Sequence, residues 1–213
     1  DIETYKKSIK WLIKSGFFVI RVGKAALKKL NIKSNNFVDY PFVRNKSDFL
    51  DIWLIDQCNG FISTGTGIDI VALALRKKRL LINMLPFCDI NHASITINAP
   101  KKLKKLSDNS LLNIKEYSEF NHYKFHEFET QNIIIENLDE DEILEITKEF
   151  IKFFVNNQKL NKKQQSLISY FWESFFDYNK NLYKPFVNKH SMISLQWLKI
   201  HGNNFYKKTE NKQ

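Results

Sequence analysis

Cysteine is scarce in this chain. Cys58 and Cys88 are the only two in 213 residues, and neither stands in a metal-binding spacing. The scarcity excludes a disulfide-stapled scaffold, and a reducing cytoplasm is the simplest setting for it. No apolar run approaches the ~18 residues of a membrane-spanning helix, and no signal-peptide pattern opens the chain. Catalytic signatures are missing as well. There is no His-Glu-x-x-His, no Ser/His/Asp order and no paired-carboxylate pattern, so no general base is assigned. No internal repeat occurs. Acidic residues are in deficit, 23 against 33 Lys and Arg, which leaves a net charge of +10. Such a surplus suits an anionic ligand, a nucleic acid or an anionic membrane face. It also fits a coding bias toward Lys, Asn, Ile and Phe, with lysines spread along the whole chain.

Apolar material is plentiful by contrast. Hydrophobic residues make up 43% of the chain, enough for a sizeable core, which excludes global disorder. Periodicity then divides the sequence. Tyr5, Ile9, Leu12 and Ile13 recur at helical spacing, and Gly16 ends that helix. Phe17-Phe18-Val19-Ile20-Arg21-Val22 reads as a buried parallel strand. Gly23 and Lys24 turn into a helix expected around 25–30. Phe37-Val38-Asp39 is a short extended segment, and Pro41 blocks a helix directly after it. Ser47 caps a helix running to about Gln57, with Phe49, Leu50, Trp53 and Leu54 on one face. A strand, a glycine turn, a helix, a basic link and a strand over 79–83 follow. This alternation predicts an α/β, Rossmann-like, doubly wound parallel sheet over 1–158. Ile95-Thr96-Ile97 and Ile133-Ile134-Ile135 read as further strands, and 101–105 as a solvated basic run. Amphipathic helices are expected over 139–157 and 162–178. A shorter one starts at Ser191 or Ser194, and the tail after Gly202 reads as polar and frayed. Residues 159–213 form a C-terminal helical appendage in this reading.

The most informative stretch is Phe61-Ile62-Ser63-Thr64-Gly65-Thr66-Gly67, which runs from strand to helix. Two glycines let backbone N–H groups approach a ligand, and the helix start favours an anion. Ser63, Thr64 and Thr66 add hydroxyls at the same spot. This is the chemistry of a phosphate cradle, although a tight βα connection has the same look. It is not a P-loop, because no Gly-Lys-Ser/Thr follows, and Ile70 stands where a dinucleotide fingerprint has its third glycine.

Ligands of open parallel sheets bind outside the carboxyl ends of the strands. Arg21, Gly23 and Lys24 fall at the end of the first strand, and Asp39 and Tyr40 at the end of the next. Arg44 precedes the helix that leads to the glycine turn. An arginine at a strand end suits a diphosphate, or else a surface ion pair. Lys24 reads as a solvated lysine near the site. Asp39 could accept from a ribose or base and Tyr40 could stack on a base, or the two are a turn aspartate and a core tyrosine. Asp48 and Asp51 either orient Arg21 or Arg44 or serve as N-terminal helix acids. Arg44 contacts phosphate from its loop or holds that loop. Asp139-Glu140-Asp141 opens a long helix and reads as dipole-compensating acids. His122 and His126 are four apart but lack a third ligand, and His92 lacks a catalytic partner. No metal is expected.

Four of these segments carry a family resemblance. Arg21-Val22-Gly23 follows a strand, Val38-Asp39-Tyr40 comes next, then Arg44-Asn45-Lys46-Ser47-Asp48-Phe49-Leu50-Asp51, then Ser63-Thr64-Gly65-Thr66-Gly67. Their order resembles a family of glycosyltransferases from bacterial surface-carbohydrate gene clusters. Phe171-Trp172, Ile193-Ser194 and Trp197-Leu198 resemble that family's C-terminal elements. Pro41, Ile68-Asp69 and the stretch 91–128 depart from it. The resemblance implies the donor-binding, C-terminal half of a two-domain GT-B enzyme of polysaccharide biosynthesis. Its substrate would be a nucleotide-sugar, held by Arg21, Gly23, Lys24, Asp39, Tyr40, Arg44, Ser63, Thr64, Gly65, Thr66 and Gly67. It further implies a glycan or lipid-linked acceptor, an additional N-terminal domain, no cofactor, and a cytoplasmic place at the inner face of the bacterial membrane. The chain opens at Asp1, without Met, directly on a helix, as expected of a piece of a longer protein. Two alternatives stand beside this. One is a sugar-nucleotide epimerase of the same architecture. The other is a non-catalytic basic module for nucleotides or nucleic acid. The aromatics sit at core spacing, so nucleic acid is not the expected partner.

Overall fold

A computed structural model describes residues 1–24, 26–85, 90, 93–120, 127–179 and 191–206. A 3-10 turn, Ile2–Tyr5, leads into helix α1, Lys6–Lys14, which buries Ile9 and Leu12. Gly16 takes φ +88° after it, a left-handed conformation that glycine adopts without strain. Strands β1, Val19–Arg21, and β2, Phe37–Asp39, pair in parallel with Val19 opposite Phe37.

The helix expected around 25–30 is not formed at the described residues 26–30. Its backbone groups have other partners. The Leu30 amide donates to the Asp39 carboxylate at 2.7 Å, and the Lys28 carbonyl accepts from Arg21 at 2.7 Å. Leu30 buries its side chain as well. These tertiary bonds hold the segment as an irregular crossover between two parallel strands.

Pro41 sits in the first turn of a 3-10 turn, Tyr40–Phe42. Helix α2, Asp48–Gln57, starts where expected, with the Ser47 hydroxyl accepting from the Leu50 amide at 3.1 Å. Strand β3, Phe61–Ser63, helix α3, Ile68–Ala74, and strand β4, Arg79–Met84, follow. Strand β5, Thr96–Pro100, lies parallel to β4, Leu80 opposite Ile97.

The stretch 101–105 is not a solvated basic run. It forms strand β6, Lys102–Lys105, with Leu103 fully buried. Lys102 can be buried because Glu136 and Glu142 pair with it at 2.5 and 3.0 Å. Helices α4, Ile114–Glu119, and α5, Glu127–Thr130, lead to strand β7, Ile133–Glu136, which runs antiparallel to β6.

Helix α6, Glu140–Phe150, opens on a capping box of Asp139 and Glu142 and continues as a π turn, Ile151–Val155. Helix α7, Lys162–Tyr178, carries a second such box, Asn161 with Gln164. Strand β8, Met192–Ile193, pairs with β5. Helix α8, Leu195–Phe205, is capped by Ser194 and runs through Gly202 instead of ending there.

The described strands form three sheets rather than one: a parallel four-stranded sheet ordered β3-β4-β5-β8, the parallel pair β1-β2 and the antiparallel pair β6-β7. Helices flank the four-stranded sheet, an α/β arrangement compatible with a Rossmann-like fold. Beyond residue 159 the chain does more than pack on the outside: it supplies the edge strand β8 and part of the core. Phe171, Phe175, Trp197 and Phe205 are fully buried with Leu80, Ile82 and Ile97. A smaller cluster of Ile55, Phe61 and Ala72 lies between α2, β3 and α3.

Candidate functional site

Parallel pairing puts Arg21 and Asp39 opposite each other at the carboxyl ends of β1 and β2. Arg21 Nη1 donates to Asp39 Oδ1 at 3.2 Å, to Oδ2 at 3.4 Å and to the Lys28 carbonyl. All three contacts use that one nitrogen, so Nε and Nη2 stand outside them. The guanidinium also lies 5.8 Å from the Phe42 ring centre. Val22, the next residue, packs on the cluster of Ile55, Phe61 and Ala72. Asp39 is buried and accepts from both Arg21 and the Leu30 amide. Tyr40 is buried too. Its hydroxyl receives the Ser47 amide at 3.1 Å and donates to the Ser47 carbonyl at 3.4 Å. It thereby staples the 41–47 loop to the cap of α2.

Gly23 takes φ +128°, with no atom within 4 Å of where a Cβ would stand. Lys24 pairs with Asp48 at 2.6 Å, both in solvent, where such a pair contributes little. Arg44 is exposed and makes no ion pair among the described residues.

The glycine turn does lie at a strand–helix junction, between β3 and α3. Thr64, Gly65, Thr66 and Gly67 are all exposed. Gly65 has φ +75°, and no atom lies within 4 Å of a Cβ built on it or on Gly67. The outer side of this backbone is open to solvent, while the Gly65 and Thr66 amides face the Asp69 carboxylate. Ser63 is buried and faces the fold rather than solvent.

Beneath the turn is a polar pair that sequence reasoning missed. Asp69, only 7% exposed, has an Oδ1 without a hydrogen-bond partner. Burial pushes its carboxyl above the usual range. The Ser63 hydroxyl, the Arg79 charge and the Thr66 and Gly65 amides pull the other way without offsetting burial. Arg79, 1% exposed, donates from Nη1 to the Asp69 carbonyl at 3.2 Å and from Nη2 to Thr96 Oγ1 at 2.9 Å. Its Nε has no partner. Burial lowers its basicity, against the Asp69 charge. The available signals were an Asp two residues after the glycine turn and an Arg opening the next strand. Both types are ordinarily read as surface residues.

Elsewhere, Asp139 accepts from the amides of Asp141 and Glu142 at 2.9 Å each, so these acids start a helix as expected. No group of three metal-ligating side chains occurs among the described residues. Cys88, His92, His122 and His126 lie outside them. No described helix is long and apolar enough to cross a membrane. Comparison of the chain with family models, with curated proteins and with solved structures gave no match.

Proposed function

We propose that the chain binds the nucleotide-sugar donor of a GT-B glycosyltransferase of surface-polysaccharide synthesis, as the half that lacks the acceptor side. The observation that carries this reading is the open glycine turn Thr64–Gly67 at the carboxyl end of β3. Val22, next to Arg21, packs on the cluster that includes Phe61 of β3, which supports bringing Arg21 to the same ligand. The exposed turn, whose Gly65 and Thr66 amides face Asp69 and would have to be shared with it, and Nε and Nη2 of Arg21 would take the diphosphate. Stabilising the departing nucleotide diphosphate this way is electrostatic catalysis and needs no acid or base in this half. The order of the four motif segments supports the same reading. In it, the acceptor comes from a second domain.

Calorimetry with UDP, GDP, CMP and their sugar conjugates tests it. One of these should bind, and Arg21→Ala should weaken that binding by about 1–3 kcal/mol, the scale of a charged hydrogen bond. Arg21→Lys keeps the charge beside Asp39 but loses the forked donor, so it should bind at an intermediate level. Absence of binding by every nucleotide sinks the reading.

A further inference from the structure

A base cannot stack on Tyr40. The residue is 5% exposed, and its hydroxyl is spent on the Ser47 amide and carbonyl. Two residues along the same 3-10 turn, Phe42 is 41% exposed. The turn directly follows β2, at the sheet edge where open parallel strands receive ligands. The Arg21 guanidinium lies over the Phe42 ring, its Cζ 5.8 Å from the ring centre.

Both side chains are held before any ligand arrives. Pro41 fixes the backbone in the middle of the turn. Its carbonyl accepts from Lys46 Nζ at 2.6 Å, and the Val43 amide donates to the Tyr40 carbonyl at 3.0 Å. Arg21 is anchored through Nη1 by Asp39 and by the Lys28 carbonyl. Nε and Nη2 stand outside those contacts, and both are bonded to the carbon that lies over the ring. An anion on either nitrogen is therefore a neighbour of Phe42. Setting a cation and an aromatic face in advance removes part of the ordering cost that binding otherwise carries.

We infer that Phe42 is the base platform of this site. The heterocycle of a nucleoside diphosphate stacks on the ring face away from the guanidinium, while the diphosphate takes Nε and Nη2 of Arg21. The inference rests on the nucleotide reading above and adds to it a residue that lies outside the four motif segments. A ring face reads no hydrogen-bonding edge of the base. The platform therefore separates a nucleotide from a bare diphosphate rather than one base from another. A ring that merely packed on Arg21 would support both anions equally.

Calorimetry of the 213-residue chain with UDP, GDP and pyrophosphate tests this. A nucleoside diphosphate should bind more tightly than pyrophosphate. Phe42→Ala should weaken it by about tenfold, within the range of base–aromatic stacking. Phe42→Leu, which keeps the bulk and loses the aromatic face, should do the same. Phe42→Tyr and Phe42→Trp should restore the affinity. The loss should fall on the base, so that pyrophosphate binds the native chain and the Ala and Leu variants alike. Nucleotide affinity that survives both Phe42→Ala and Phe42→Leu overturns the inference. Equal weakening of nucleotide and pyrophosphate also overturns it, and reduces Phe42 to a support for Arg21. Nucleotide binding lost in Arg21→Ala but kept in Phe42→Ala ends the inference while leaving the diphosphate site standing. Absence of binding by all three ligands ends both.

Discussion

Two helical regions of this chain use aromatic residues in opposite ways. In α7 and α8, Phe171, Phe175, Trp197 and Phe205 are fully buried and meet edge-on or stacked at 5.0–6.3 Å between ring centres. In α2, Phe49 and Trp53 face solvent. Composition is similar, and topology makes the difference. Strand β8 joins the sheet beside β5, so the helices next to it close over the main core. Helix α2 is held mainly through Ile55 and a cluster of three buried residues. The first region is built to hold the fold, and the second presents a surface. All of the motif residues that suggest chemistry belong to the second.

The sharpest way to break that comparison is to truncate one aromatic from each region. Trp197→Ala should cost about 3–5 kcal/mol of stability, because it opens a cavity in a closed core. It also orphans the Pro100 carbonyl that accepts the indole N–H at 3.0 Å. Phe49→Ala should change stability by less than about 0.5 kcal/mol. Urea denaturation of both variants measures this. Equal losses would mean that α2 is as much a part of the core as α8.

Acid should act on the closed region first. Glu142 joins α6 to β6 and α8, pairing with Lys102 at 3.0 Å and with His201 at 2.8 Å. Burial raises its pKa, but hydrogen bonds from His201, the Asp139 amide and Lys102 outweigh burial and hold it down at about 2. A depressed carboxyl stabilises the fold above its unfolded value, near 4.5, and the gain is lost as pH falls toward 2. The loss amounts to at most about 3 kcal/mol. Denaturation midpoints between pH 5 and pH 2 should fall steeply in the native chain and more shallowly in Glu142→Gln. Parallel slopes would remove Glu142 as the acid-sensitive link.

The same division explains what could be read from the sequence. Ser47, Asp139 and Ser194 announce helix starts because capping is local chemistry, and α7 was legible from its apolar period over 162–178. The strand–turn–helix around Gly65 was legible for the same reason. Long-range pairing was not. Lys102 reads as solvated until Glu142, forty residues away, is brought to it. The 26–30 segment has helical composition, but Asp39 and Arg21 capture its backbone. At the site, glycines and hydroxyls marked the exposed surface of the turn. The buried Asp69 and Arg79 beneath it have the look of surface residues in the sequence, since only the tertiary fold takes them out of water.

Asp69 supplies the finest test, because it sets the turn's chemistry against the turn's stability. A buried carboxylate with an unpartnered Oδ1 disfavours both folding and an added anion. Burial raises its folded pKa above the unfolded value. The sign follows: the native state holds the proton more tightly, so stability is greatest below the unfolded value, near 3.8, and declines as pH rises through the folded one. Asp69→Asn keeps the shape and removes the charge. At pH 7 it should stabilise the chain by about 1 kcal/mol, an advantage that shrinks as the pH is lowered toward 4. If the turn receives a diphosphate, the same substitution should tighten nucleotide binding at pH 7, because one anion no longer faces another across the Gly65 and Thr66 amides. It should also flatten the rise in affinity expected of the native chain on acidification. Denaturation and calorimetry across pH 4–7 read both effects. A stabilised variant with unchanged nucleotide affinity would leave Asp69 as a buried charge of the scaffold and move the anion site away from the turn. Weaker binding in the variant would mean instead that the carboxylate holds the ligand, as an acceptor for one of its hydroxyls.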